Sequence, residues 1–349
     1  MSEAILIDVL PAHQFDQDRL TQYLTGRLPG ADAGMSVKQF QGGQSNPTYL
    51  LEIGGKRYVL RKKPPGKLLP SAHMVEREFQ VINALGATDV PVPKAELLCE
   101  DPEIIGTAFY IMEYVEGRVH TQPLLEAVDK SQREPIYHSM IETMAKLHNV
   151  DWKAVGLESY GKAEGYIPRQ IKRWSGQFEA SRTGEMPAMD KLMAWLPDNM
   201  PDKDETTIAH GDFRVGNLIL HPTEPRVVSI LDWELATLGH PLSDLAYCCL
   251  PYHLPAGMDG VKGMLGEDLK SMGLPEEQQI LEWYCQYTGR SEIPNWNFFV
   301  AFSLFRLAAI VQGVYHRALQ GNASNADALE VGKRAGLLAE RGWEISQGR

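Results

Sequence analysis

The sequence predicts an α+β protein whose strands come early and whose helices come late. Three observations carry that expectation. Short runs rich in β-branched and aromatic residues, separated by turns containing Gly and Pro, occupy much of the stretch from Val37 to Met112. From Ser131 onward the apolar residues recur at helical intervals instead. A chain of 349 residues, 44% of them hydrophobic, is long enough for two lobes and supplies a real core.

In chain order, Phe15, Leu20, Tyr23, Leu24 and Leu28 lie at helical spacing, and Gly30 ends that run. Val37 to Phe40 reads as a strand, Gln41-Gly42-Gly43-Gln44-Ser45-Asn46-Pro47 as a turn, and Thr48 to Ile53 as the next strand. Gly54-Gly55 makes a hairpin turn into Arg57 to Arg61. Val75 to Leu85 reads as a helix stopped by Gly86, with Val75, Phe79, Ile82 and Leu85 facing inward. Ala95 to Cys99 and Ala108 to Met112 read as strands, after which Glu113-Tyr114-Val115-Glu116-Gly117 leaves the sheet. Ser131-Gln132-Arg133-Glu134 has the form of a capping box, with Pro135 inside the start of the helix it opens. Between Gly165 and Asp204 the clearest feature is one apolar face (Ile167, Ile171, Trp174, Phe178) and one basic face (Arg169, Lys172, Arg173). Pro275 to Gly289, Trp296 to Leu319 and Ala326 to Trp343 read as closing helices. The most apolar of these carries Ser303, Arg306 and Gln312, so it reads as a buried helix and not a membrane span.

The chemistry concentrates in two blocks. His210-Gly211-Asp212-Phe213-Arg214-Val215-Gly216-Asn217 holds a carboxylate and, five positions on, a carboxamide. Val227 to Leu231 is an apolar run ending in Asp232-Trp233-Glu234. Leu218 to Leu220 and Val227 to Leu231 read as two strands joined by a turn at His221-Pro222-Thr223-Glu224-Pro225, because Pro cannot continue a ladder. Such a hairpin sets Asn217 beside Asp232, with Asp212 on the loop just before. Two carboxylates and a carboxamide oxygen make a hard-oxygen site of the kind Mg²⁺ takes, completing its octahedron with water and phosphate. In a phosphoryl-transfer enzyme Asn217 and Asp232 would hold the metal, Asp212 would take the proton of the attacking hydroxyl, and Arg214 would lie on the transferring group. Taken singly, each of these residues also reads as an ordinary turn residue.

The paired pattern, H-G-D-x4-N and fifteen residues on an apolar D-W-E, resembles the aminoglycoside phosphotransferase and choline kinase family, relatives of the protein kinases. The resemblance runs from about Val37 to Tyr315. Through R-K-K-P-P-G-K, I-P-R-Q-I-K-R-W and G-H-P-L-S-D-L-A-Y it is greatest to the kinase-like domains fused to acyl-CoA dehydrogenases. It implies a two-lobed protein-kinase-like fold: an N-lobe over 1–112 with an antiparallel sheet plus helix, a hinge at 113–117, and a mainly helical C-lobe over 118–349. It implies ATP and Mg²⁺ as cofactors. Gly42, Gly43 and Ser45 fall in a turn that resembles a nucleotide-covering loop, although a plain hairpin turn accounts for it as well. Arg61 stands where the family carries its phosphate-binding cation, often Lys, with Lys62 in reserve. Glu78, the second acid of V-E-R-E, matches the acid that pairs with that cation. Backbone groups of Glu113, Tyr114 and Val115 would meet the adenine edge. His148 receives a structural role, and Asp244 that of bracing the loop around His210. The stretch from Ala236 to Pro241 resembles a much shortened activation segment, which points to a small-molecule hydroxyl acceptor and not a peptide.

With 34 basic against 45 acidic side chains the net charge is −11, which argues against nucleic acid or an anionic membrane as the main partner. Cys99, Cys248, Cys249 and Cys285 show no metal-ligand spacing and read as reduced thiols. The first residues lack a basic stretch and a long apolar run, so a cytoplasmic protein is expected. The resemblance to the domains fused to acyl-CoA dehydrogenases implies a hydroxyacyl thioester or hydroxy acid as the acceptor. An aminoglycoside- or choline-type kinase, a non-catalytic nucleotide-binding module and a metal-dependent hydrolase are the competing readings.

Overall fold

The computed structural model describes residues 5–41, 46–66, 73–257, 262–320 and 328–349. The first 120 residues form β1 (Leu6–Ile7), α1 (Gln17–Leu24), β2 (Met35–Phe40), β3 (Thr48–Ile53), β4 (Lys56–Lys62), α2 (Val75–Leu85), β5 (Ala95–Cys99), α3 (Pro102–Ile105) and β6 (Phe109–Glu113). Then come α4 (Lys130–Asn149), α5 (Tyr166–Ser181), α6 (Pro187–Asp198), β7 (Thr207–Ala209), β8 (Leu218–Leu220), β9 (Val227–Ile230) and β10 (Thr237–Gly239). The chain closes with α7 (Pro241–His253), α8 (Leu269–Met272), α9 (Glu277–Thr288), α10 (Trp296–Leu319), α11 (Ala328–Gly332) and α12 (Ala335–Ser346). Two compact units result: Met1–His120 with Val155–Leu157 and Gly216–Ala236, and Thr121–Ala154 with Glu158–Val215 and Thr237–Arg349. The β8–β9 hairpin thus groups with the N-terminal sheet, although it lies a hundred residues downstream.

The first unit is built on a six-stranded antiparallel sheet in the order β1-β2-β3-β4-β6-β5. Side chains alternate across a strand, so each strand serves two faces. One face buries Tyr49, Leu51, Leu60, Phe109 and Ile111 against Leu20 and Leu24 of α1. Lys62 shares that face, buried, with its ammonium 5.7 Å from the centre of the Phe15 ring. The neighbouring position, Arg61, emerges on the other face toward α2. The hairpin is fastened to the segment after β6. Arg118 exchanges both backbone hydrogen bonds with Leu220 at 2.8 Å, and its guanidinium donates to the carbonyls of His221 and Glu224 at 2.9 Å each. Gly117 permits this approach, since a Cβ there would lie 2.2 Å from the Leu220 oxygen.

The second unit is helical apart from the short β7–β10 ladder, and its core is α10, whose Phe298, Phe299, Phe302 and Phe305 are buried. By length and apolarity α10 could cross a membrane, yet 72% of its most apolar window is buried within the protein. That is the buried helix expected from its polar residues.

Several boundaries differ from the sequence reading. The first helix starts after Phe15, because the Asp16 carboxylate caps it by accepting from the Arg19 amide. The α4 cap is Asp129, which accepts from the Ser131 amide at 2.8 Å, so the expected capping box lies inside the helix. Phe79 is only half buried and packs edge-on to Tyr110, while Val81 takes the inward position. From residue 328 on there are two helices, α11 and α12, where the sequence reads as one, and β1, α3, α6, β7, β10 and α8 were not read from the sequence at all.

Candidate active site

The first unit contains a cleft of about 550 Å³. Val59, Met112, Val115, Ile219 and Ile230 give it apolar walls, and Arg61, Asn217 and Asp232 supply a polar end. The β8–β9 register explains why the last two meet: Leu218 opposes Ile230, and the Leu231 amide donates to the Asn217 carbonyl at 2.8 Å. Asp232 then leaves the strand in the left-handed region, φ +64°, a conformation that a short polar side chain tolerates better than most. The buried Trp233 locks this corner by donating from Nε1 to the Ile230 carbonyl.

Arg61 is the centre of the polar end. Its Nε lies 2.9 Å from Glu78 Oε2, its Nη2 2.8 Å from Asp232 Oδ1, and its Nη2 3.6 Å from Glu234 Oε2. The contact with Glu78 is ionic, without the alignment of a directed hydrogen bond. Glu78 is instead held by Asn46 Nδ2 at 2.7 Å and the Tyr110 hydroxyl at 3.0 Å. Asn46 also meets His73 Nδ1 through its carbonyl oxygen. Burial raises the Glu78 carboxyl to about 7. Arg61 opposes the shift, and the charges of Asp232 and Glu234 add to it. Three carboxylates around one guanidinium leave a surplus of negative charge, which a divalent cation would balance. Asn217 and Asp232 alone are too few for an all-protein cage, and among the described residues no cluster of three His, Cys, Asp or Glu forms one. That donor set fits Mg²⁺, which keeps waters and phosphate oxygens in its shell.

The segment after β6 lines the same cleft through Glu113, Tyr114 and Val115. The Glu113 and Tyr114 amides donate to the carbonyls of Lys94 and Arg57. Of the three amides, that of Val115 is therefore the one left for a base edge. Arg57 lies 4.3 Å over the Tyr114 ring, which makes that ring part of the wall. Gly42, Gly43 and Ser45 lie outside the described residues.

The Asp212 loop belongs to the second unit. Asp244 fastens it, accepting from the His210 amide at 2.5 Å and the Gly211 amide at 2.8 Å. Burial would raise the Asp244 carboxyl, but His148, the His210 ring and the Gly211 amide hold it below the ordinary carboxylate range. His148 is fixed in turn by the Tyr284 hydroxyl at 2.7 Å, in keeping with its structural reading. Phe213 is fully buried, edge-on to His210, so its neighbours Asp212 and Arg214 stay at the surface of the loop. Arg214 Nε lies 3.2 Å from Asp212 Oδ2. Arg214 is thus a partner of that carboxylate.

Sequence reasoning missed Asn46, Tyr110, Glu234, Arg118 and Arg306. Glu234 stood inside the motif, and Arg306 was a lone charge in the apolar stretch from Phe298 to Val314. Either signal could have been followed. Asn46 and Tyr110 carried none beyond their places in a turn and a strand.

The sequence model of the phosphotransferase enzyme family matches residues 36–275. Acyl-CoA dehydrogenase family member 10 of Mus musculus is 46% identical over 331 residues, covering 95% of this chain and 31% of that protein. Family member 11 of Homo sapiens is 43% identical over 351 residues, covering 99% of this chain and 45% of that protein. The chain thus spans less than half the length of these curated relatives. A crystal structure from Ralstonia eutropha, provisionally designated an aminoglycoside phosphotransferase, superposes with a TM-score of 0.88 at 45% identity, covering 96% of this chain and 99% of that one. Choline kinase from Cryptosporidium parvum shares the fold, with a TM-score of 0.62 at 15% identity over 95% and 97% of the two chains.

Proposed function

Because the chain belongs to the phosphotransferase enzyme family, we propose that it moves the γ-phosphoryl group of Mg·ATP onto a hydroxyl of a small molecule, a hydroxyacyl thioester or hydroxy acid. One observation carries the nucleotide half: Arg61, Asn217 and Asp232 close one end of a cleft whose walls are apolar. Val115 would offer its amide to the base edge, and Met112 and Tyr114 would flank the ring. Asn217 and Asp232 would hold Mg²⁺. A metal held there would supply positive charge against the negative charge that develops on the transferring phosphoryl group. Arg61 would turn from Asp232 to the phosphates while Glu78 keeps it on the cleft side of the sheet. Asp212 would accept the proton of the acceptor hydroxyl as the oxygen attacks in line. Arg214 holds that carboxylate's outer oxygen and so limits its rotation.

The acceptor reading is supported by the names of the relatives, which concern acyl-CoA chemistry. It is also supported by Lys172 and Arg173, exposed on α5 and suited to an anionic acceptor. Measuring ADP release with hydroxyacyl-CoAs, hydroxy acids, choline and aminoglycosides, each with and without Mg²⁺, tests both halves. Metal-dependent release stimulated by the hydroxyacyl compounds is expected. Stimulation by choline or aminoglycosides alone would replace the acceptor. Phosphate release indifferent to every acceptor would make the protein a hydrolase, and retained nucleotide binding without turnover would make it a binding module.

A further inference from the structure

Within the buried stretch of α10 one side chain is charged, Arg306. It is 7% exposed, and its Nη2 donates to the carbonyl of Gly211 at 2.5 Å. Its guanidinium carbon lies 5.3 Å from the centre of the Tyr247 ring and 6.0 Å from that of Trp174. A buried guanidinium is costly, and bonding to a backbone carbonyl offsets less of that cost than pairing with a carboxylate would. Apolar residues of similar volume would fill the site more cheaply. The position calls for a reason beyond packing.

The geometry around Gly211 supplies one. Its amide donates to Asp244 of α7, and its carbonyl accepts from Arg306 of α10, so the residue is held from both sides. It needs holding, because its φ of +84° is a region that glycine enters freely and leaves freely. The peptide joining Gly211 to Asp212 is planar. Fixing its carbonyl at one end, while the Asp212 amide donates to His210 Nδ1 at 3.2 Å at the other, fixes the plane from which the Asp212 side chain projects. The ring that packs on Arg306 also neighbours the carboxylate, since after burial it is the charge of Asp212 that most raises the Tyr247 hydroxyl.

We propose that Arg306 is a positioning residue for the phosphoryl-transfer base: it clamps the Gly211 carbonyl and thereby aims Asp212 at the acceptor hydroxyl. The inference rests on the reading of Asp212 as that base.

The test compares Arg306→Met, Arg306→Lys and Tyr247→Phe with the unmodified chain. Turnover, the ATP consumed per acceptor phosphorylated, and amide hydrogen exchange are followed together. Arg306→Met should lower kcat for transfer about ten- to a hundredfold, the scale on which a small misplacement acts, while KM for ATP stays the same. ATP consumed per transfer should rise, because a misaimed carboxylate favours the acceptor over water less strongly. Exchange over residues 210–213 should speed up while α10 itself stays protected. Arg306→Lys keeps the charge without the planar fork and should fall between, and Tyr247→Phe should lower kcat with no change in loop exchange. Unchanged exchange in the loop would overturn the clamp. A fall in turnover at constant coupling, accompanied by lost protection along α10, would reduce Arg306 to a folding role and overturn it equally. If the unmodified chain shows no acceptor-dependent turnover while the loop still loosens in Arg306→Met, the base assignment to Asp212 fails and the clamp on the loop stands.

Discussion

Asp232 occupies a backbone region that costs a non-glycine residue about 1–3 kcal/mol, and the corner made by Trp233 holds it there. Strain of that kind is kept where it aims a side chain, and here the carboxylate reaches Arg61. Asp212 needs no such strain, because its loop is braced from below by Asp244. Asp212→Ala should therefore cut turnover by about 10²–10⁴, the usual contribution of a general base, and leave Mg·ATP affinity within twofold by titration calorimetry. Glu78 offers a prediction that needs no substrate. Its folded carboxyl is raised by burial from 4.5 to about 7, so the native state keeps this proton longer than the unfolded chain does. Its contribution to stability is full below pH 4.5 and is lost as pH rises through about 7. In urea melts of the metal-free protein, the unmodified chain should lose stability relative to Glu78→Gln across that window. A gap independent of pH would refute the burial argument.

At the scale of elements, alternation along β4 does the sorting. Two adjacent cations in one strand must face opposite ways, so Lys62 goes to the α1 side with Phe15 and Arg61 to the side of the cleft. The hairpin is a second case. β8 and β9 are short, and a ladder of that length is marginal by itself. Arg118 and the close approach at Gly117 tie it to the segment after β6. Gly117→Ala would press a methyl onto the Leu220 carbonyl, at a cost of about 1–3 kcal/mol. The expected result is a lower melting temperature together with a raised KM for ATP, because Asn217 and Asp232 move with the hairpin. A raised KM is absent if the hairpin keeps its place by its own ladder.

At the scale of the molecule, the groups assigned to nucleotide and metal lie in the first unit and the loop assigned to acceptor activation lies in the second. Ligands should report on them separately. Mg·ATP at a hundred times its Kd should stabilise the folded protein by about 2.7 kcal/mol. Asp232→Asn, which keeps the backbone preference and removes the charge, should abolish the metal-dependent part of the shift in a thermal melt. The same melt with Asp212→Ala should show the full shift. Loss of the shift in both variants would mean that the two carboxylates do not divide the work between metal and acceptor.

Much of this was legible from local pattern, because strand alternation, helix period and turn residues are local properties. They gave β3, α2 and α10 to the residue and the hairpin that sets Asn217 beside Asp232, while the choice of Arg61 over Lys62 rests on the family resemblance, with alternation along β4 sending Lys62 to the opposite face. They also gave the family, whose spacing of acid, amide and acid is written in consecutive sequence. The cap of α4 was misread because Asp129 and Ser131 carry the same local signal two residues apart. What needed the folded chain is everything that depends on partners far apart in sequence. The three carboxylates around Arg61, the Asn46 amide on Glu78 and the Arg306 guanidinium on the Gly211 carbonyl each join residues from distant segments. Periodicity says which way a side chain points and is silent about what it meets. Those meetings are set by packing, and packing is a property of the whole chain.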